Sequence, residues 1–317
     1  MNSSYQIITN PQQQGAITRA ADVQTLTDQF IKFLDVAPQS VKTYKASIRK
    51  FTAYLAENNI TAPTRADLLR YKELLFTTHK PTTIALHITA IRLFFQWTKQ
   101  QGLYPDIAEH IKGAKLDSEH KKDYLSEKQA RHFLRSIERT TTTGKRDYAI
   151  ISLMLTAGLR CYEISGVNIE DLRQIGDQQV ILLKGKGKQE KAKYQKIADP
   201  VHAAILDYLN ARGATDSRAP LFASDSNNNK GGKMQPATVS RIVKARLCDA
   251  GFISDRLTAH SLRHTCATIN LRNGGGLDET QQLMRHTSIN TTMIYNHAIN
   301  REKNNSENRI AAAIFRT

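Results

Sequence analysis

The stretch HSLRHT places His260, Arg263 and His264 within five positions. On a helix, residues at i, i+3 and i+4 share a face, so the three side chains would converge on one spot. Two imidazoles at that spacing can hold zinc. The hydrolytic form of such a site needs a glutamate beside the first histidine. Ser261 stands there instead, and no cysteine or acidic third ligand lies at a suitable spacing. A fixed cation at Arg263 would also repel a metal ion. An oxyanion suits the group better. A guanidinium is a rigid fork of donors matched to phosphate oxygens, and imidazoles donate hydrogen bonds or move protons near neutral pH.

An anion site of this kind still needs a nucleophile, and LMRHTSINTTMIYNH offers one. His286 precedes Tyr295 by nine residues (295 − 286 = 9). A phenol with a reference pKa of about 10 is an unusual nucleophile. Cations around phosphorus would ease its attack by offsetting the charge that develops on the phosphorus oxygens. Each residue also has a plainer reading. Tyr295 alone could be a half-buried core tyrosine. Arg160, in GLRCYEI, could cap a helix C-terminus with Glu163 as its ion partner. His264 could simply support its neighbours. Lys184, Lys186 and Lys188, in KGKGKQEK, could be non-specific phosphate contacts.

The elements that must position these groups fall into two regions. The 317 residues suffice for two domains with ample core burial. They carry 45 Lys+Arg against 29 Asp+Glu, a formal charge of +16, which favours a polyanionic partner. The excess is spread over both regions, with 11 basic against 7 acidic residues in 22–108 and 29 against 18 in 127–317. Two basic domains on a linker suggest a clamp around something long and anionic. Cys161, Cys248 and Cys266 are too few and too scattered for a disulfide framework or a zinc cluster. No apolar run approaches the roughly 20 residues of a membrane span, and the N-terminus lacks the apolar core of a signal peptide. A soluble, cytoplasmic protein is expected.

Residues 1–21 are polar and aperiodic and are expected to be flexible. Helical spacing then runs through Val23, Leu26, Phe30 and Phe33, through Tyr44, Ile48, Phe51 and Leu55, and through Ile84, Ile88, Ile91 and Phe95. Breaks before Pro38, Pro63 and Pro81 separate the segments. A four-helix domain over 22–108 follows, then a polar linker over 109–126 and a second domain over 127–317. The second domain opens with helices near 127–137 and 148–155. Residues 180–183 read as a strand with a hairpin partner at 192–197, joined by the basic turn. Helical patterning returns after Gln235. The fold class is mainly α with a small β-sheet. In the tail, 297–308 reads as a polar tether. Residues 309–315 form a short helix whose Ile310, Ile314 and Phe315 share one face, to dock on a neighbouring copy or fold back.

Five pieces stand in order along the chain: GLR at 158–160, GKG at 185–187, HSLRH at 260–264, RH at 285–286 and IY at 294–295. With SVKTYKASIRKF (40–51) and PTTIALHITAIRLFFQWTKQQGL (81–103), they resemble the tyrosine recombinases of the phage-integrase type, in the compact layout of Xer-like and mobile-element integrases. The resemblance covers about residues 22–300. It implies a helical, SAM-like core-binding domain followed by a catalytic domain. It also implies a role for each matching residue. Arg160 and Arg263 clamp the scissile phosphate, and Tyr295 attacks it to form a 3′-phosphotyrosyl bond. Lys186 protonates the leaving 5′-oxygen, His260 acts as acid and base, and His286 hydrogen-bonds the phosphate. Glu163 supports Arg160. A diester is exchanged for a diester, so no metal, ATP or other cofactor is required.

The implied partners are double-stranded DNA and further copies of the chain, free as a monomer or weak dimer and tetrameric in the synaptic complex. An accessory DNA-bending or directionality factor is compatible with this. The family usually has Gly before the third histidine, where this chain has Arg285; that residue, with Lys184 and Lys188, is a candidate DNA contact. Arg285 and the polar N-terminal extension favour integration and excision of a mobile element. The alternatives are an Xer-type chromosome or plasmid dimer resolvase and, in another class, an inactive DNA-binding relative. Type IB topoisomerases share the chemistry, but the N-terminal domain favours a recombinase.

Overall fold

The computed structural model describes residues 20–115, 123–183, 193–295 and 304–315. The chain divides into two compact units, residues 1–118 and 119–317. The first is a bundle of α1 (Ala20–Phe33), α2 (Pro38–Glu57), α3 (Arg65–Thr78) and α4 (Pro81–Gln100). Pro38 and Pro81 occupy the first turns of α2 and α4, where a fixed φ and a missing N–H suit the helix. Thr64 caps α3, and its own N–H donates to Asp67 over 2.8 Å. Phe30, Ile48, Phe51, Ile84, Ile88, Ile91 and Phe95 are buried together, as their spacing predicts.

Phe33 differs from that expectation and is 56% exposed. It is the last residue of α1, where the helical face turns away from the core, and its ring lies 6.5 Å from Trp97. The packed region also runs further than expected. Ile111 is buried in this first core and Leu125 in the second. The expected linker of 109–126 therefore loses residues at both ends to the folded units. The first 19 residues lie outside the described residues.

The second unit is helical around a small sheet. It contains α5 (Glu127–Arg135), α6 (Thr142–Thr156) and α7 (Cys161–Gly166), then β1 (Leu172–Ile175), β2 (Gln178–Leu183) and β3 (Lys193–Lys196). There follow α8 (Asp199–Arg212), α9 (Pro236–Asp249), α10 (Ala259–Arg272), α11 (Leu277–Met284), α12 (290–295) and α13 (Ser306–Ile314). The sheet is antiparallel in the order β1-β2-β3, with Ile181 of β2 opposite Leu172 on one side and Gln195 on the other. The hairpin of β2 and β3 matches the sequence reading. β1 carries no alternation to reveal it, since three of its four residues are exposed.

Two polar ties fix the frame of the site. Buried Asp147 of α6 accepts from the Arg146 guanidinium and, at 2.8 and 3.0 Å, from Arg246 of α9. A carboxylate buried this deeply requires such compensation. The Leu125 N–H donates over 2.9 Å to Thr265 Oγ1, pinning the start of the unit to α10. Among the described residues no helix is long and apolar enough to cross a membrane.

Candidate active site

The site is built outward from one glycine. Gly158 follows the end of α6 with φ +58°, and a Cβ there would stand 2.4 Å from Met284 Cε and 3.5 Å from Cys266 Sγ. Both the left-handed backbone and the close approach require glycine. The turn can thus lie directly against α10 and α11, with the Gly158 carbonyl facing Arg263. Two residues later Arg160 starts α7 as its N-cap, not at a helix C-terminus as its plainer reading had it. Glu163, three residues on, accepts the Arg160 N–H at 2.7 Å through one oxygen and Arg160 Nη1 at 3.1 Å through the other. The ion pair expected from GLRCYEI is present.

On α10 the HSLRH residues stay close to one another but reach different partners. Residues 261–268 are all buried, so the helix is enclosed and its side chains diverge to different neighbours. Arg263 is 1% exposed and donates to the carbonyls of Gly158 and Met284. Burial, then the charges of Arg160 and Arg285, pull its pKa down to about 10, which leaves it charged at neutral pH. His260 is exposed. Together with Arg160, Tyr162 and Arg263 it lines a cavity of about 260 Å³. His264 is buried, with its ring 4.9 Å from that of His260 on one side and 4.9 Å from that of Tyr295 on the other.

Tyr295, on α12, is 6% exposed and packs with Cys266, Ala267 and Met284 in a small cluster separate from the main core. Burial pushes its phenol above the ordinary value, while Arg263 and Arg160 pull the other way. The phenol is therefore protonated in the free protein at neutral pH. His286 stacks on it with ring centres 6.2 Å apart and planes 8° from parallel. His286 Nδ1 lies 2.9 Å from Thr292 Oγ1, a buried hydroxyl on α12. Burial, then Arg263, Arg160, Arg285 and His260, push the His286 pKa down to about 4, so its ring is neutral at pH 7.

Arg285, a candidate DNA contact in the sequence, has its side chain turned toward protein acceptors. It ends α11 in the left-handed region at φ 52°, at a cost of about 1–2 kcal/mol for a residue with a Cβ. Its side chain is only 7% exposed and turns inward, because Glu163 and the carbonyls at the end of α6 offer acceptors there. Glu163 thus bridges Arg285 and Arg160. Burial would raise the Glu163 carboxyl, but the charge and hydrogen bonds of Arg285, followed by the N–H and charge of Arg160, hold it below the usual carboxylate range.

The structure therefore gathers Arg160, His260, Arg263, His286 and Tyr295 in one region of the second unit. Lys184, Lys186 and Lys188 lie outside the described residues, between β2 and β3. Sequence reasoning passed over Thr292 and Gln195, and for neither was a usable signal present.

Residues 123–302 match the phage integrase family, and residues 27–102 match the N-terminal SAM-like domain of phage integrases. The chain is similar to tyrosine recombinase XerC of Pelobacter propionicus, 27% identical over 268 residues, or 83% of this chain and 86% of that protein. A tyrosine recombinase of Synechocystis is 30% identical over 232 residues, 73% of either chain. Among solved structures, XerH recombinase bound to difH substrate matches with TM-score 0.71 at 19% identity, over 90% of this chain and 97% of that one. The Tn1549 transposon integrase in complex with circular intermediate DNA matches with TM-score 0.66 at 20% identity, over 86% and 94%. At these identities the structural likeness is one of fold. With a catalytic domain and a SAM-like domain both matched, this chain belongs to the phage integrase family and is a tyrosine recombinase, a DNA strand-transferring enzyme.

Proposed function

We propose that the enzyme cuts and rejoins DNA at specific sites through a 3′-phosphotyrosyl bond to Tyr295. The observation that carries this reading is the phenol of Tyr295 held between His264 and His286 beside two guanidiniums, Arg160 and Arg263. A phosphodiester drawn into the cavity meets fixed cations already in place, and these stabilise the charge that builds on its oxygens. The bond from Tyr295 Oη to phosphorus forms as the bond to the 5′-oxygen breaks. The buried phenol is protonated, so its proton must leave during attack, and His260 at the cavity mouth receives it. Lys186 gives a proton to the leaving oxygen. A neutral His286 has one N–H: a Thr292 hydroxyl donating to Nδ1 leaves Nε2–H for a phosphate oxygen.

Of the two roles expected from the sequence, mobile-element transfer loses the support of Arg285, which is buried. Relatives named tyrosine recombinase XerC and XerD support an Xer-type role as the second reading. The chemistry is tested by incubating the protein with nicked, sheared DNA of its source genome in excess EDTA. A DNA adduct that survives denaturant and shrinks with protease is expected, since guanidiniums fill the electrostatic role of a metal ion. Strict dependence on one divalent cation would return the HSLRH face to metal chemistry. Sequencing the trapped ends gives the site and separates the two roles.

The tail supports assembly on DNA. Ile310, Ile314 and Phe315 of the α13 segment are 59, 67 and 80% exposed. Among the described residues nothing covers these three side chains. A short helix with three uncovered apolar side chains gains by docking elsewhere, at about 1.5–3 kcal/mol per side chain before ordering costs. Docking head-to-tail on the next copy closes a ring, in keeping with a tetramer on two DNA sites. Deleting residues 309–317 is expected to leave DNA binding largely intact and to lower recombination sharply, read by gel shift and a two-site assay. Full-rate recombination by the truncated protein would remove the docking role.

A further inference from the structure

Arg285 makes an unusual set of contacts. Its five N–H groups face six acceptors: both Glu163 oxygens, the carbonyls of Ala157, Gly158 and Leu283, and the side-chain oxygen of Gln195 on β3. No donor is left over for a DNA phosphate. The residue holds a left-handed backbone conformation that glycine adopts more readily, yet its side chain is buried at the centre of the site. By contrast, only Nη1 of the Arg160 guanidinium has a hydrogen-bond partner among the described residues, and that partner is Glu163. Arg160 thus keeps most of its donors for an anion, provided that Glu163 is held in place.

We propose that Arg285 is a positioning residue of the phosphate clamp: it anchors Glu163, and through Glu163 it aims Arg160 at the scissile phosphate without touching DNA itself. This rests on the strand-exchange reading above. The carboxylate it anchors is enclosed. From its own helix Glu163 faces Arg160 and the Tyr162 hydroxyl, from the joint after α11 it faces Arg285, and Arg263 of α10 lies within electrostatic reach. Without Arg285, burial outweighs what remains, and the carboxyl rises toward protonation. A protonated Glu163 no longer accepts from both the Arg160 N–H and its guanidinium, so the clamp loosens. The sign follows: a carboxyl that must be ionised costs activity as pH falls through its raised pKa.

The test is single-turnover formation of the covalent adduct on a nicked site, followed across pH for the wild-type protein and for Arg285→Met, Arg285→Lys, Glu163→Gln and Arg285→Met with Glu163→Gln. Arg285→Met is expected to be slower by up to about 10²-fold at neutral pH, the scale of a small misplacement of a catalytic group. It is also expected to show an acid limb additional to the one that His260, as the proton acceptor, imposes on the wild type. Arg285→Lys, which keeps the charge but not the fork, should move that limb back toward acid. The double variant should show no such limb and be no slower than the slower single variant. A merely structural role would slow Arg285→Met equally at all pH values, with losses that multiply in the double variant, and that outcome overturns the proposal. Should Arg285→Met fail to fold, an Arg285→Lys profile parallel to the wild type overturns it equally. Absence of adduct from the wild-type protein would instead overturn the reading of the function on which the proposal rests.

Discussion

Tyr295→Phe is expected to bind DNA as the unaltered protein does and to form no covalent adduct. The substitution removes one oxygen and keeps the ring, so the contacts with His264 and His286 at 4.9 and 6.2 Å persist. The lost hydroxyl should change stability by no more than about 1.5 kcal/mol, the range of a single hydrogen bond. The catalytic loss is of another order. Removing a nucleophile that forms a covalent intermediate lowers the rate by about 10⁴-fold or more. Denaturing gels of protein trapped on a nicked duplex, beside gel shifts of the same samples, measure both quantities. Adduct formation by Tyr295→Phe would show that another side chain attacks the phosphate.

The second large effect belongs to Lys186. Loss of a general acid costs about 10²–10⁴-fold, so Lys186→Ala should cleave an ordinary site very slowly. A substrate with sulfur in place of the bridging 5′-oxygen offers a leaving group that needs no proton. It should restore cleavage by Lys186→Ala. It should not restore Arg263→Ala, because the role proposed for Arg263 is to act on charge that develops on the phosphorus oxygens, whatever the leaving group. Equal defects on the two substrates would reduce Lys186 to a DNA contact alongside Lys184 and Lys188.

Much of this was legible in the sequence because the relevant signals are local. The apolar spacing of α2 and α4 and the prolines at their starts are patterns within one turn or two. Gly158, Arg160, His260, Arg263, His286 and Tyr295 were visible as residue types in short motifs. What the motifs could not convey was direction. The periodicity of HSLRH puts three side chains on one face, but an enclosed helix sends Arg263 toward Gly158, His264 toward Tyr295 and His260 toward solvent. The inward turn of Arg285 was hidden for a related reason. An arginine in a basic chain looks like a surface cation until the partner that draws it inward, Glu163, is brought close from 122 residues away. β1 escaped notice because its exposed residues show no alternation, and only pairing with β2 defines it.

The small cluster around Tyr295 has an energetic consequence. Cys266, Ala267, Met284 and Tyr295 pack apart from the large core that holds the domain together. A satellite of four residues has its own modest opening free energy, well below that of global unfolding. The segment bearing Tyr295, the proposed nucleophile, can therefore open at lower cost than the arginines and the sheet. Opening and closing of this one short helix would carry Tyr295 in and out of place without unfolding the domain.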